Sequence, residues 1–333
     1  MHLKNRLLLA GALIVSVATV LRAQPIPTTR PDTSRADQML ADYFRIETER
    51  LSSRCLADIH TADDWNAKKG EYRRELLEML GLWPMPARTD LKPVITGTID
   101  HDDFVVEKLQ FQSSPGLYVT GDLFRPKDST KPLPAILYVC GHAKVKEGNT
   151  SLGNKTFYQH HGEWFARNGY VCLVIDSLEL GEIEGIHHGT YNLGMWWWHD
   201  RGYTPAGVEA WNGIRAIDYL CSRPDVDPSR IGMTGRSGGG ATTWYVSALD
   251  ERVKVSVPVA GITDLQNHVV DGTIEGHCDC MFMDNTYRWD FPLVAALVSP
   301  RPLLISNSDK DTIFPLDGVY RLHEKVRRIY KLQ

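Results

Sequence analysis

The sequence of 333 residues predicts an α/β domain with a doubly wound, mostly parallel sheet, and three observations support this prediction. Near-continuous apolar runs such as 135–140 and 170–175 alternate with helical patterns, which indicates strands covered by helices on both faces. Before them, residues 93–100, 104–111 and 117–124 alternate between apolar and polar side chains and predict antiparallel strands at the leading edge of the sheet. Further along, an apolar strand runs directly into a glycine-rich turn and a helical pattern, as is typical of such sheets.

The N-terminus has the features of a secretory signal peptide. A basic start is followed by an apolar run from Leu7 to Leu21 and by small residues near Ala23. Because the apolar run is too short for a comfortable membrane span, we predict a signal peptide over 1–23 and export to the periplasm or the extracellular space. A retained N-terminal anchor is the alternative.

The remaining chain of about 310 residues divides by composition into three parts. Residues 24–34 predict a flexible lead-in, residues 35–90 a helical extension, and residues 91–333 the α/β domain. Helices are expected at 36–55 and 62–82 in the extension. The later elements are expected as helix 158–168, helix 207–222, strand 231–234, helix 239–249, strand 253–259, helix 291–298, strand 303–306 and helix 318–330.

Charge and cysteine content argue against several classes of protein. The net charge is −4, and neither a basic stripe nor a basic amphipathic helix is present. We therefore expect no nucleic-acid partner, and no membrane association after signal cleavage. Six cysteines are too few for a disulfide scaffold in a chain of this length. Cys140, Cys172 and Cys221 are predicted to be buried thiols.

The turn around Ser237 is the most informative motif. Gly235 and Gly239 flank the serine in a Gly-x-Ser-x-Gly pattern between strand and helix, where a Cβ atom would strike neighbouring backbone. Such a turn exposes the serine hydroxyl, and the first amides of the following helix are free to bind an oxyanion. The motif predicts a nucleophile, whereas the alternative is a serine that only caps the helix.

A serine nucleophile requires a base and an acid that orients the base. The acid is expected after strand 303–306, where Asp311 is favoured over Asp309 because it precedes two apolar residues and a proline. An Asx turn is the alternative role for Asp311. The histidine that follows Asp311, His323, lies within a strongly charged helix and is expected at the surface. We therefore expect the base, with a further strand and helix, to lie beyond Gln333.

Oxyanion donors are expected at the amide of Gly238 and in the loop after strand 135–140. Within that loop the second donor is expected at His142 or Ala143, since the preceding glycine allows close backbone approach. A polar contact with substrate is the alternative role for His142.

Two further segments are unusual. Trp196, Trp197 and Trp198 interrupt the strand–helix alternation and predict either a substrate pocket or a small aromatic cluster that seals an insertion. His277 is expected to border the same pocket. Residues 277–280 read His-Cys-Asp-Cys, for which a local disulfide or simple packing is favoured over a metal cluster, because zinc sites favour wider cysteine pairs and further ligands. No metal and no cofactor are predicted.

Four segments resemble exported bacterial α/β-hydrolases of the acetylxylan-esterase-like or dienelactone-hydrolase-like group: 135–142, 235–240, 275–281 and 309–315. The resemblance covers most of the chain after about Trp65. It implies the α/β-hydrolase fold, with Ser237 as nucleophile, Asp311 as acid, and a histidine in a loop after one more strand.

These observations predict a serine carboxylic-ester hydrolase that forms an acyl-enzyme on a small-molecule or carbohydrate ester, with an acetylxylan-type carbohydrate as the expected substrate. Two alternatives stay open. One is a serine peptidase of the same fold, and the other is a degenerate, non-catalytic hydrolase that lacks the triad histidine.

Overall fold

A computed structural model describes residues 32–274 and 277–333 of the chain. The chain divides into two units, Met1–Leu40 and Ala41–Gln333. Of the first unit, the described residues are 32–40, which include the first turns of helix α1. The predicted signal peptide and most of the lead-in lie outside the described residues.

The described strands and helices follow the predicted alternation. The strands are β1 (Val94–Asp100), β2 (Phe104–Ser114), β3 (Leu117–Pro126), β4 (Leu133–Val139), β5 (Lys146–Glu147), β6 (Thr150–Ser151), β7 (Val171–Ile175), β8 (Val226–Arg236) and β9 (Val253–Val259). The helices are α1 (Ser34–Arg54), α2 (Ala62–Met79), α3 (Lys155–Arg167), α4 (Gly189–Leu193), α5 (Pro205–Ser222), α6 (Gly238–Leu249), α7 (Pro292–Ala296) and α8 (Leu316–Leu332).

The main sheet has the strand order β1-β2-β3-β7-β4-β8-β9. Strands β1 to β3 pair antiparallel, β3 also pairs antiparallel with β7, and β7, β4, β8 and β9 are mutually parallel. The predicted strand 303–306 extends the sheet through parallel bridges from Leu303 to Ser256 and from Ser306 to Val259. This architecture confirms the predicted α/β fold with antiparallel leading strands.

The strand order reverses at β4, and this reversal locates the site. From β4 the chain passes to its neighbour β7 and then returns to β8 on the opposite side of β4. Loops that leave the C-terminal ends of β4 and β8 therefore diverge and open a crevice between them. Ser237 follows β8, and the His142 loop follows β4.

Side chains on the two faces of the sheet enter two hydrophobic clusters. Along β4, Leu137 and Val139 belong to the larger cluster, whereas the alternating neighbour Tyr138 belongs to a smaller one with Tyr158 of α3. This alternation follows from the two-residue repeat of a strand. A sheet covered on both faces explains why β4 is almost uniformly apolar.

The helical extension packs into the larger cluster. Trp65, Leu76 and Met79 of α2 are fully buried there. Thr61 begins α2 with a capping box, in which its hydroxyl accepts from the Asp64 amide and the Asp64 carboxylate accepts from the Thr61 amide. The extension thus shares its core with the sheet.

Two predictions about individual features can be compared with the structure. Cys140 and Cys172 are fully buried, as predicted, but Cys221 is only half-buried because it lies in the last turn of α5, near the surface. Within residues 32–274 and 277–333, none of the helices combines the length and the apolar character that a bilayer crossing requires.

Candidate active site

The backbone of Ser237 adopts a conformation that few non-glycine residues adopt. Its dihedral angles are φ 57° and ψ −119°, and it lies directly between β8 and α6. This strain is typical of functional turns that project a side chain away from both flanking elements. The Ser237 hydroxyl makes no capping hydrogen bond to α6, which contradicts the alternative of a simple helix cap.

The flanking glycines are required by close backbone approach. A Cβ atom on Gly235 would lie 2.6 Å from the carbonyl oxygen of Val139, and one on Gly239 would lie 2.7 Å from the carbonyl oxygen of Cys140. Both distances are too short for a side chain. The glycines therefore let the serine turn pack directly against the end of β4.

The loop after β4 is held beside this turn by buried polar groups. Asn154 donates from Nδ2 to the Gly141 carbonyl at 2.8 Å, and the Ser177 hydroxyl donates to the Cys140 carbonyl at 2.6 Å. A Cβ atom on Gly238 would lie 3.0 Å from His142 Nε2. The structure thus brings Gly238 and His142, the two predicted oxyanion residues, into contact. Asn154 and Ser177 have no local sequence pattern that predicts this role, because it depends on loops far apart in the chain.

The predicted acid lies in the loop after residues 303–306. Asp311 is half-buried, and its Oδ1 accepts from the amides of Ile313 and Phe314, each at 2.9 Å. The Asx turn expected as the alternative is therefore present. It occupies only one carboxylate oxygen, and Oδ2 has no hydrogen-bond partner within the described part of the chain. Asp309, the other candidate, is exposed.

His323 has no hydrogen bond to Ser237 among the described residues. It lies on α8 with about half of its side chain exposed, and its Nδ1 is 3.4 Å from Glu324 Oε1. Among the described residues, none hydrogen-bonds the Ser237 hydroxyl.

A cluster of two histidines and two cysteines lies next to the serine turn. It consists of His142, His187, Cys278 and Cys280, whose ring nitrogens and sulfurs all lie within 4.8 Å of one another; we call it the His–Cys cluster. The structure joins its two cysteines in a disulfide, one of the arrangements expected from sequence. Two histidines from distant loops lie beside these cysteines, although the sequence shows no further candidate ligands next to residues 277–280.

Both imidazoles of the His–Cys cluster are held neutral. Burial, together with His188 and His277, lowers the pKa of His142 to about 4. Burial and the neighbouring His142 lower the pKa of His187 to about 3. No sequence pattern assigned a role to His187, because only folding places it beside His142 and Cys278. His277 lies close enough to His142 to affect its pKa.

The three tryptophans differ in their exposure and in their contacts. Trp196 and Trp197 are exposed, whereas Trp198 is partly buried and donates from Nε1 to Glu179 Oε1 at 3.2 Å. Trp197 and Trp198 line a cavity of about 520 Å³ together with Trp211. The described lining of this cavity does not include Ser237, so the predicted role of the tryptophans as a substrate pocket stays a prediction.

Fold and serine turn together define an enzyme of the α/β-hydrolase class, which contains esterases and peptidases. Residues 116–326 match the X-Pro dipeptidyl-peptidase (S15 family), and the chain belongs to this family.

Individual proteins are also similar to this chain. The Bacillus subtilis (strain 168) protein named "Putative hydrolase YtaP" is 25% identical over 274 residues, which are 79% of this chain and 88% of that protein. A structure described as a "putative acetyl xylan esterase" from Bacteroides fragilis NCTC 9343 has a TM-score of 0.69 at 17% identity, and the match covers 93% of this chain and 81% of the other. A glucuronoyl esterase from Solibacter usitatus has a TM-score of 0.63 at 17% identity and 82% coverage of both chains. The resemblance to acetylxylan-esterase-like α/β-hydrolases is thus confirmed at the level of the fold.

Proposed function

We propose that this protein is a serine carboxylic-ester hydrolase with Ser237 as its nucleophile. The observation that carries the proposal is the Ser237 conformation, a strained turn between β8 and α6 whose hydroxyl is not used to cap the helix. A structural serine would gain from capping, since a cap contributes about 1 kcal/mol to helix stability. Strain without that gain is typical of a side chain held for chemistry.

In the proposed reaction, Ser237 Oγ attacks the ester carbonyl and forms an acyl-enzyme that water then hydrolyses. The amide of Gly238 and an amide of the loop at His142 bind the oxyanion. Asp311 orients the base through Oδ2, because its Oδ1 is engaged by backbone amides. The base is a histidine that takes the serine proton and returns it to the leaving alcohol.

For the substrate we propose an acetylated carbohydrate, met after export from the cytoplasm. Aromatic faces suit the stacking of sugar rings, and Trp197 and Trp198 line a cavity near the start of α5. The structural neighbours include proteins described as acetyl xylan esterases and glucuronoyl esterases, which are named for esters of carbohydrates.

The test compares Ser237→Ala with Ser129→Ala, an exposed serine in the loop between β3 and β4. Ser237→Ala is expected to lower kcat/KM for p-nitrophenyl acetate by about 10³-fold or more and to abolish labelling by a fluorophosphonate probe. Ser129→Ala is expected to behave as the wild type. Labelling and hydrolysis that persist in Ser237→Ala would show that another residue is the nucleophile.

A serine peptidase is the second candidate, favoured by the family match over residues 116–326. The two candidates share the nucleophile and differ in the leaving group, an alcohol for an ester and an amine for a peptide. We therefore compare acetylated xylo-oligosaccharides with an Xaa-Pro p-nitroanilide. Release of p-nitroaniline with a larger kcat/KM than release of acetate would reject the esterase proposal in favour of the peptidase.

A further inference from the structure

We propose that His142, His187, Cys278 and Cys280, the His–Cys cluster, form a structural binding site for a divalent transition metal ion, of which zinc fits best. The donor set is two imidazole nitrogens and two sulfurs, the Cys₂His₂ combination that suits tetrahedral zinc. The metal site uses the His142 side chain and not the amide of its loop, and the proposal does not rest on the proposed esterase activity.

The His187 ring is oriented so that one of its nitrogens can bind a cation. Its Nδ1 lies 2.7 Å from the Leu178 carbonyl oxygen, which can only accept, so Nδ1 carries the proton. Nε2 is then the unprotonated nitrogen, and its lone pair points into the cluster. An N–H held by a backbone carbonyl on the far side of the ring is the usual support of a metal-binding histidine.

The ring nitrogens and sulfur atoms of the cluster lie close together. His187 Nε2 lies 2.9 Å from His142 Nε2 and 2.5 Å from Cys278 Sγ. A disulfide sulfur has no proton to donate, and a single proton on His142 satisfies at most one of these contacts. A shared cation, in contrast, is attracted by all of the lone pairs at once.

The four side chains are largely buried and come from distant parts of the chain. His187, Cys278 and Cys280 are buried, and His142 is partly buried. The ligands come from three loops: the one after β4, the one after β7, and the segment that contains both cysteines. A disulfide between Cys278 and Cys280 closes a loop of only three residues and therefore restrains little of the chain. A metal ion would connect all three loops.

The His–Cys cluster lies beside the first residue of α6. A Cβ atom on Gly238 would lie 3.0 Å from His142 Nε2 and 3.1 Å from Cys280 Sγ. The cluster therefore forms the wall against which the first turn of α6 packs. Because all four ligands come from the protein, the site is closed and acts structurally. The bound ion holds the His142 loop at a fixed distance from the serine turn.

The disulfide and the metal site are two states of the same cysteines. To reach the metal-binding state, the disulfide takes two electrons and two protons from a dithiol reductant, which itself becomes a disulfide. The two thiols then lose two protons when the divalent ion binds. Reducing conditions with metal present favour the metal-bound state. Oxidising conditions without metal favour the disulfide.

The experiment measures metal content directly. The whole chain is reduced with dithiothreitol, incubated with excess Zn²⁺, desalted and analysed by elemental mass spectrometry. We expect one zinc per chain, and after loading with Co²⁺ the visible absorption of a tetrahedral thiolate site. Cys280→Ser and His187→Gln are expected to lower the bound metal by about tenfold or more, while Cys221→Ser, a control with a free half-buried thiol, retains it.

A second measurement uses the wild-type chain and therefore does not depend on whether the variants fold. Adding a chelator to the reduced, zinc-loaded wild type is expected to lower its melting temperature, because the metal stabilises the folded state that binds it. Ser237→Ala is expected to bind zinc normally, so a failed esterase assay leaves this test intact. Less than one tenth of an equivalent of metal in the reduced wild type would overturn the proposal, as would metal that both ligand variants retain.

Discussion

The buried carboxyl group of Glu209 predicts how stability depends on pH. Glu209 lies in α5 and is nearly inaccessible, with Oε1 accepting from the Leu178 amide at 3.1 Å and Oε2 accepting from the Thr242 hydroxyl at 2.7 Å. Burial raises the pKa of this carboxyl group from 4.5 to about 7, although both hydrogen bonds oppose the increase. The folded protein therefore holds this proton more tightly than the unfolded chain does.

Proton linkage gives the direction and the magnitude of the change in the free energy of unfolding with pH. Below pH 4.5 both states are protonated, and the contribution of Glu209 to stability is fully present. As the pH rises towards 7 the unfolded chain loses the proton first, which favours unfolding; above pH 7 the loss levels off. Between pH 5 and pH 8 this group should lower the free energy of unfolding by about 2–3 kcal/mol.

Urea unfolding at several pH values between 5 and 8 tests this prediction. Glu209→Gln keeps an acceptor and a donor of similar shape but does not titrate, so its free energy of unfolding should fall by about 2–3 kcal/mol less than that of the wild type over this range. Glu147→Gln, an exposed glutamate in β5, is the matched control and should follow the wild type. If the curves of Glu209→Gln and the wild type stay parallel to within about 0.5 kcal/mol, the carboxyl group is not held protonated and the reasoning fails.

Two further predictions concern the catalytic machinery. Asp311→Asn is expected to lower kcat/KM for p-nitrophenyl acetate by about 10³- to 10⁴-fold, whereas Asp309→Asn, at an exposed position, should change it less than about twofold; equal losses would contradict the choice of Asp311 as acid. His323→Ala should change kcat/KM for the same ester less than about twofold, because the His323 side chain is about half exposed on α8 and its Nδ1 lies beside Glu324. A fully active 333-residue chain that His323→Ala inactivates would identify His323 as the base instead.

The sequence by itself determined the features that local patterns encode. Strand and helix order follows from side-chain periodicity, and the burial of β4 on both faces follows from its uninterrupted apolar run. The serine turn was equally predictable, because two glycines are needed wherever a strand turns sharply into a helix beside another strand. Asp311 could be preferred over Asp309 because the turn that orients it involves only its next few residues.

Only the tertiary structure decided what surrounds the serine turn. Asn154 and Ser177 hold the loop after β4, and His187 meets His142 across 45 positions and Cys278 across 91. No local pattern predicts such contacts, because the reversal of strand order at β4 brings these loops together. Folding brings His142 and His187 to the two cysteines of the His-Cys-Asp-Cys segment from loops at the same edge of the sheet.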